Sequence, residues 1–146
     1  MCGRFTLKAK QEKIEKEFKT RIEQDSTISE RFNIVPSQMV SVVRDTDGER
    51  ILSTLKWGLI PSWSKDESMG NKLINARAET LTEKPSFREA FARRRCIVPA
   101  SGFYEWQVAQ GKTPKQPFYF YLKEKDVFGF AGLWEEWLNK QTGELT

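Results

Sequence analysis

Two runs of β-forming residues around one tight turn constrain this chain more than any other feature. Residues 39–44 and 49–57 are rich in Val, Ile, Leu and Thr and flank Asp45-Thr46-Asp47-Gly48. β-Branched side chains suit the pleated backbone, and Asp and Gly tolerate the left-handed conformations of a hairpin turn. Further strand-like runs at 96–98, 103–108, 117–123 and 127–134 are separated by Gly, Pro and Lys-rich turns. Ile14, Phe18 and Ile22 recur at i, i+4 and i+8, which predicts a helix laid on the sheet. Glu12 to Lys16, Glu15 to Lys19 and Glu17 to Arg21 would support it as i,i+4 pairs. Ser86 with Glu89 fits a capping box that opens a short helix carrying Phe87 and Phe91 and ending in Arg93, Arg94 and Arg95. Asn139 to Gly143 reads as a turn, and Glu144-Leu145-Thr146 as the start of a partner strand, so the chain is expected to lack its C-terminal strands. A length of 146 residues is enough for one domain with an ordinary core.

Composition removes several kinds of chemistry. With no histidine, the chain cannot itself supply a Ser-His-Asp site, a Cys-His site or a zinc site that uses His. Two cysteines cannot form a four-thiolate zinc site; a metal on Asp and Glu alone stays open, but no calcium-loop spacing occurs, and neither metal nor cofactor is expected. The longest uncharged apolar stretch, Val127 to Trp134, is far short of the ~20 residues of a membrane helix. Arg4 and Lys8 are followed by polar helix and not by the apolar core of a signal peptide. The expectation is a cytoplasmic protein with Cys2 and Cys96 reduced.

Positive charge is concentrated. Residues 71–100 hold seven cations, Lys72, Arg77, Lys84, Arg88, Arg93, Arg94 and Arg95, against three acids, an excess equal to the whole net charge of +4. An anionic partner would meet this segment. Charge alone is equally satisfied by a solvated basic face.

Cys2 is the most informative single residue. If Met1 is removed, Cys2 presents an α-amine and a thiol on one carbon skeleton, titrating near ~7.7–8.0 and ~8.5 in unperturbed form. Such an aminothiol condenses with an aldehyde: the amine forms a Schiff base and the thiol closes it to a thiazolidine ring. Gly3 allows close backbone approach, Arg4 offers a bidentate phosphate contact, and Phe5 is an apolar anchor. Cys96, in Cys96-Ile97-Val98-Pro99, reads as a buried small hydrophobe. In an extended backbone Asn75, Arg77 and Glu79 would share one side, either as a site or as a polar strand face. Glu105 lies among Phe103, Tyr104 and Trp106, where burial would raise its pKa toward acid-base use; the ordinary alternative is a solvated Glu paired to a Lys. The Gly- and Pro-rich setting of Trp63 suits base stacking, whereas Trp57 reads as core.

Taken in order, Met1-Cys2-Gly3-Arg4-Phe5, Arg31-Phe32-Asn33-Ile34-Val35-Pro36, Trp57-Gly58-Leu59-Ile60-Pro61 and Asn75-Ala76-Arg77-Ala78-Glu79-Thr80 resemble the SOS-response-associated peptidase family, the abasic-site processing proteins. The blocks from Arg94 through Gly102-Phe103-Tyr104-Glu105-Trp106, and Phe130-Ala131-Gly132-Leu133-Trp134-Glu135, continue the resemblance. It implies an α+β fold, a barrel-like and mostly antiparallel sheet with a few covering helices, and a basic channel for single-stranded DNA. It further implies that mature Cys2 captures the aldehyde of an abasic site as a thiazolidine, with Asn75 and Glu105 as its catalytic companions. Arg4 and Arg77 would hold phosphates, and Trp63, Trp106, Pro36 and Asn33 would meet the DNA beside the lesion. The peptidase in the family name implies removal of what precedes Cys2, and the resemblance further implies a lyase activity. The family carries a histidine in a His-x-Arg-Met-Pro-like segment downstream of the block ending at Glu135, which this sequence does not contain.

The resulting expectation is a monomeric, cytoplasmic DNA-damage protein that crosslinks to abasic sites in single-stranded DNA. A cysteine peptidase acting on other proteins and a binding module without chemistry are the alternatives.

Overall fold

The computed structural model describes residues 2–23, 26, 28–107 and 115–146. Its central hairpin pairs β4 (Met39–Thr46) with β5 (Glu49–Lys56) in unbroken antiparallel register from Met39↔Lys56 to Thr46↔Glu49. Only Asp47 and Gly48 are left to turn, with φ of 54° and 83°. Positive φ at both positions is the two-residue turn whose twist matches that of the strands it joins. The strands therefore run closer to the turn than the four-residue loop expected from sequence, and Asp45 closes it by accepting a hydrogen bond from the Gly48 N–H at 3.1 Å.

Two sheets surround the core. The first has the order β3 (Arg31–Ile34), β1 (Phe5–Leu7), β7 (Gly102–Gln107), β8 (Gln116–Phe120), all antiparallel. The second has the order β2 (Arg21–Ile22), β5, β4, β6 (Arg95–Ala100), β9 (Phe128–Leu133), antiparallel except for β2 against β5. With α1 (Gln11–Phe18) and α2 (Arg88–Arg93) this is the expected α+β class. The sheets remain separate among the described residues, so barrel-like fits only loosely. The four later runs all form strands, and the last residue of the run at 103–108 lies outside the described residues.

Phe5, Leu7, Ile14, Ile34, Val40, Val42, Leu52 and Val127 form the buried cluster between the sheets. Phe5 is its hub, meeting Trp57 edge-on at 5.3 Å and Phe130 at 6.1 Å. Cys96 is buried here, as expected, and burial pushes its thiol up to about 11.

Several local expectations fail for tertiary reasons. The first helix stops at Phe18, because Lys19 turns left-handed (φ 50°) and its N–H returns to the Glu15 carbonyl. Arg21 and Ile22 are then captured by β5 as a strand. Two of the expected helical pairs dissolve accordingly: Glu15 accepts from the Ile22 N–H at 3.2 Å, Glu17 pairs with Lys125, and Arg21 reaches Glu49 at 2.7 Å. No capping box forms at Ser86; the residue preceding α2 is Phe87, without a side-chain cap, and its burial in the core anchors that end instead. The turn at Asn139–Gly143 is present, and Leu138 bridges to Leu145 beyond it.

Gly58 ties the fold to the site. Its φ is +132°, and a Cβ there would lie 2.4 Å from the Gly70 carbonyl oxygen. Gly58→Ala should destabilise the protein by more than about 1 kcal/mol, read as a lowered urea midpoint. A midpoint equal to that of the unsubstituted protein would show that the 58–70 approach is not obligatory.

Candidate active site

The N-terminal segment reaches the site as a continuation of β1. The Tyr104 N–H donates to the Arg4 carbonyl at 2.9 Å, extending the β1–β7 ladder and carrying Cys2 toward Glu105. Cys2 is half-buried, and its thiol donates to the Arg4 carbonyl at 3.5 Å. On its other side Asn75 Nδ2 donates to the Cys2 carbonyl oxygen at 2.7 Å, joining residues 73 positions apart.

Asn75 is held there by the loop before it. Trp57 Nε1 donates to the Ile74 carbonyl at 2.8 Å, and the Leu59 N–H donates to the Leu73 carbonyl at 3.1 Å. Trp57 is thus core, as expected, and also a support for Asn75 that sequence reasoning missed; only its position one residue before a required glycine hinted at it. The segment is not the extended strand on which Asn75, Arg77 and Glu79 would share a side. After Arg77 it coils into a short 3-10 turn, Ala78–Thr80. Leu73 and Ile74 spend their carbonyls on the 57–59 segment, so no strand ladder forms.

Burial pushes the Cys2 thiol above its ordinary value, and the nearby Glu105 carboxylate adds to the rise. A raised thiol pKa leaves less thiolate at neutral pH, which disfavours a reaction opened by sulfur and leaves the α-amine as the better first nucleophile. Beside them a cavity of ≈ 430 Å³ is lined by Cys2, Phe5, Trp57, Asn75 and Phe130 among others. Its walls are largely apolar.

Of the expected site residues, Cys2, Asn75 and Glu105 converge, and Arg4 and Trp106 meet each other beside them. The Arg4 guanidinium stands 5.2 Å from the centre of the Trp106 ring. Arg77 is exposed two residues beyond Asn75. Trp63 is 58% exposed, on the loop that also carries the buried Ser64, whose carbonyl accepts from Trp137 Nε1 at 2.9 Å. Asn33 is exposed on β3, an edge strand, and Pro36 is half-buried at the corner before β4. No hydrogen bond among the described residues links these last three to Cys2. Of the seven cations between 71 and 100, Arg94 is turned inward, pairing at 2.8 Å with Glu135, whose side chain is 7% exposed. The other six are exposed.

The family model for SOS response associated peptidases (SRAP) matches residues 1–146. The chain is 46% identical over 140 residues to the Bacillus subtilis abasic site processing protein YoqW, covering 94% of this chain and 61% of that one. It is 46% identical over 88 residues to the Pongo abelii abasic site processing protein HMCES, covering 56% of this chain and 25% of that one. A crystal structure of a Bacteroides thetaiotaomicron protein superposes with a TM-score of 0.85 at 31% identity, over 99% of this chain and 64% of that one. The chain thus spans about three-fifths of the length of the Bacillus relative. No helix among the described residues is long and apolar enough to cross a membrane.

Proposed function

This chain belongs to the SOS response associated peptidase (SRAP) family, and from that membership we propose that it processes abasic sites in single-stranded DNA by a covalent crosslink through Cys2. The observation that carries the proposal is the 2.7 Å hydrogen bond from Asn75 to the Cys2 carbonyl, which holds a residue so near the terminus in one position. A disordered N-terminal cysteine would have no such partner.

The chemistry begins with removal of Met1, which lies outside the described residues; hydrolysis of that peptide bond frees the Cys2 α-amine. The ring-opened abasic sugar presents an aldehyde. The amine adds to it and loses water, giving an imine. The thiol then adds across the C=N bond: a C–S bond forms, the thiol proton passes to nitrogen, and a thiazolidine results. Glu105 is the carboxylate near enough to the thiol to move protons in sugar opening and ring closure. Asn75 fixes the reacting residue, and Arg4, over Trp106, holds a phosphate beside the lesion. The same steps reversed, ring opening and then imine hydrolysis, would return the free aldehyde and the free Cys2 amine.

The mature protein, incubated with single-stranded DNA containing one abasic site, should yield an adduct stable to denaturant. Absence of any adduct would sink the proposal in favour of a binding module. A cysteine peptidase acting on other proteins is disfavoured by the raised Cys2 thiol.

Arg77 contributes to this reading as a phosphate contact. Arg77→Ala should weaken DNA binding and reduce the slope of log K against log salt by about one unit. An unchanged slope in a salt titration would take Arg77 off the DNA.

A further inference from the structure

The outer face of the four-stranded sheet carries a continuous row of aromatic rings, of which the proposed crosslinking site uses only Trp106. Side chains alternate along β7, so Phe103 points into the core against Phe130 while Tyr104 and Trp106 point the other way. Trp106 lies 6.3 Å from Tyr104, Tyr104 lies 5.0 Å from its cross-strand partner Tyr119, and Tyr119 lies 5.7 Å from Tyr121, nearly parallel to it. The row starts where Arg4 covers Trp106, two residues from Cys2. It ends under Lys8, whose ammonium is 4.5 Å from the Tyr119 ring centre and 6.0 Å from that of Phe32 on β3.

Two properties make this row a surface for a ligand. Tyr121 and Phe32 are 61% and 59% exposed, a large apolar area for a water-facing sheet. Tyr119 between them is fixed, its hydroxyl 2.8 Å from the Thr6 hydroxyl, so the row is ordered before anything binds. Beyond it opens a depression of ≈ 790 Å³ lined by Lys8, Lys10, Lys13, Tyr121 and Lys123, with Glu12, Glu30, Lys125 and Asp126 also at its walls. Lys13 is paired with Asp126, and Lys125 with Glu17. Lys8, Lys10 and Lys123 form no ion pair among the described residues and face only Glu12 and Glu30.

We propose that this face is a stacking lane for the unpaired bases on one side of the lesion, with Lys8, Lys10 and Lys123 meeting the phosphates. Aromatic rings in a row with interleaved cations are what an unpaired strand requires, since every base has a face to stack and every step carries a charge. The proposal rests on Cys2 as the lesion-reacting residue, because that fixes the end of the lane from which the strand departs. The lane runs one way from Cys2, so it serves one flank and not the other.

The test uses single strands carrying a non-reactive abasic analogue, with a long flank only on the 5′ side, only on the 3′ side, or on neither. Binding is followed by fluorescence anisotropy for the unsubstituted protein and for the Phe32→Ala/Tyr121→Ala double variant. The double variant should lose at least about tenfold in affinity for one of the two long-flanked strands and nothing for the short one. Lys8→Ala should weaken the same strand, and replaces the double variant should that one fail to fold. Equal affinity on all three strands, or equal loss on both flanks, would overturn the lane. Adduct formation with a short reactive strand is measured alongside and should be unchanged in the variants. If the unsubstituted protein forms no adduct the crosslinking proposal fails by itself, whereas an intact adduct without a flank effect removes only the lane.

Discussion

Cys2→Ala is expected to reduce the denaturant-stable adduct on abasic single-stranded DNA to background while leaving salt-sensitive binding in place. The separation follows from where the two functions sit. The alanine variant still presents an α-amine once Met1 is removed, so an imine to the aldehyde still forms and can be trapped by borohydride. What it lacks is the thiol that closes the ring, and an imine without ring closure hydrolyses. Binding, in the proposed function, depends on the side chains of Arg4, Arg77 and the other exposed cations, and the substitution removes only the thiol's 3.5 Å hydrogen bond to the Arg4 backbone carbonyl. Cys96→Ala is the matched control, because that thiol is buried and pushed up to about 11 and has no part in the reaction. Equal adduct yield from Cys2→Ala would remove Cys2 from the chemistry, and loss of binding together with the adduct would show that Cys2 organises the DNA surface.

Glu105→Gln should move two readouts in opposite directions. The Glu105 carboxylate adds to the rise in the Cys2 thiol pKa, so its neutralisation lowers that pKa, although burial, the larger cause, still holds the thiol above its ordinary value. Alkylation requires thiolate and its rate rises with pH through the thiol pKa. The variant's alkylation profile therefore shifts to lower pH, and its rate at neutral pH increases. Crosslinking should slow by roughly 10²–10⁴-fold, the usual contribution of a positioned acid-base group, because sugar opening and ring closure lose their proton carrier. A variant slower in both reactions would mean that Glu105 shapes the site and does not carry protons.

Local chemistry made the central hairpin legible. Asp47-Gly48 is a turn that only a few residue types accept, and the flanking β-branched residues agree with it. The end of the first helix was not legible, because Ile22 continues the helical spacing while β5 offers it a strand partner 30 positions later at Leu52. Ser86 and Glu89 met the capping pattern, but burial of Phe87 decided how that helix begins. In the site, Cys2 could be singled out from its own chemistry and Glu105 from its aromatic neighbours. Asn75 could be assigned only through resemblance, since its role depends on a loop held by the Trp57 indole and closed by the Gly58 approach to Gly70. The aromatic row was illegible for a similar reason: Trp106 and Tyr104 on β7, Tyr119 on β8 and Tyr121 just beyond it are brought together by a register that pairing sets.

Asn75 grips Cys2 by its carbonyl oxygen, an atom on the far side of the residue from the bond that must be cut to free the amine. Hydrolysis before Cys2 changes nothing on that side. In the proposed chemistry the anchor is therefore common to the protein before and after that cleavage, so freeing the amine asks for no rearrangement of this contact, and the site is assembled before the nucleophile exists.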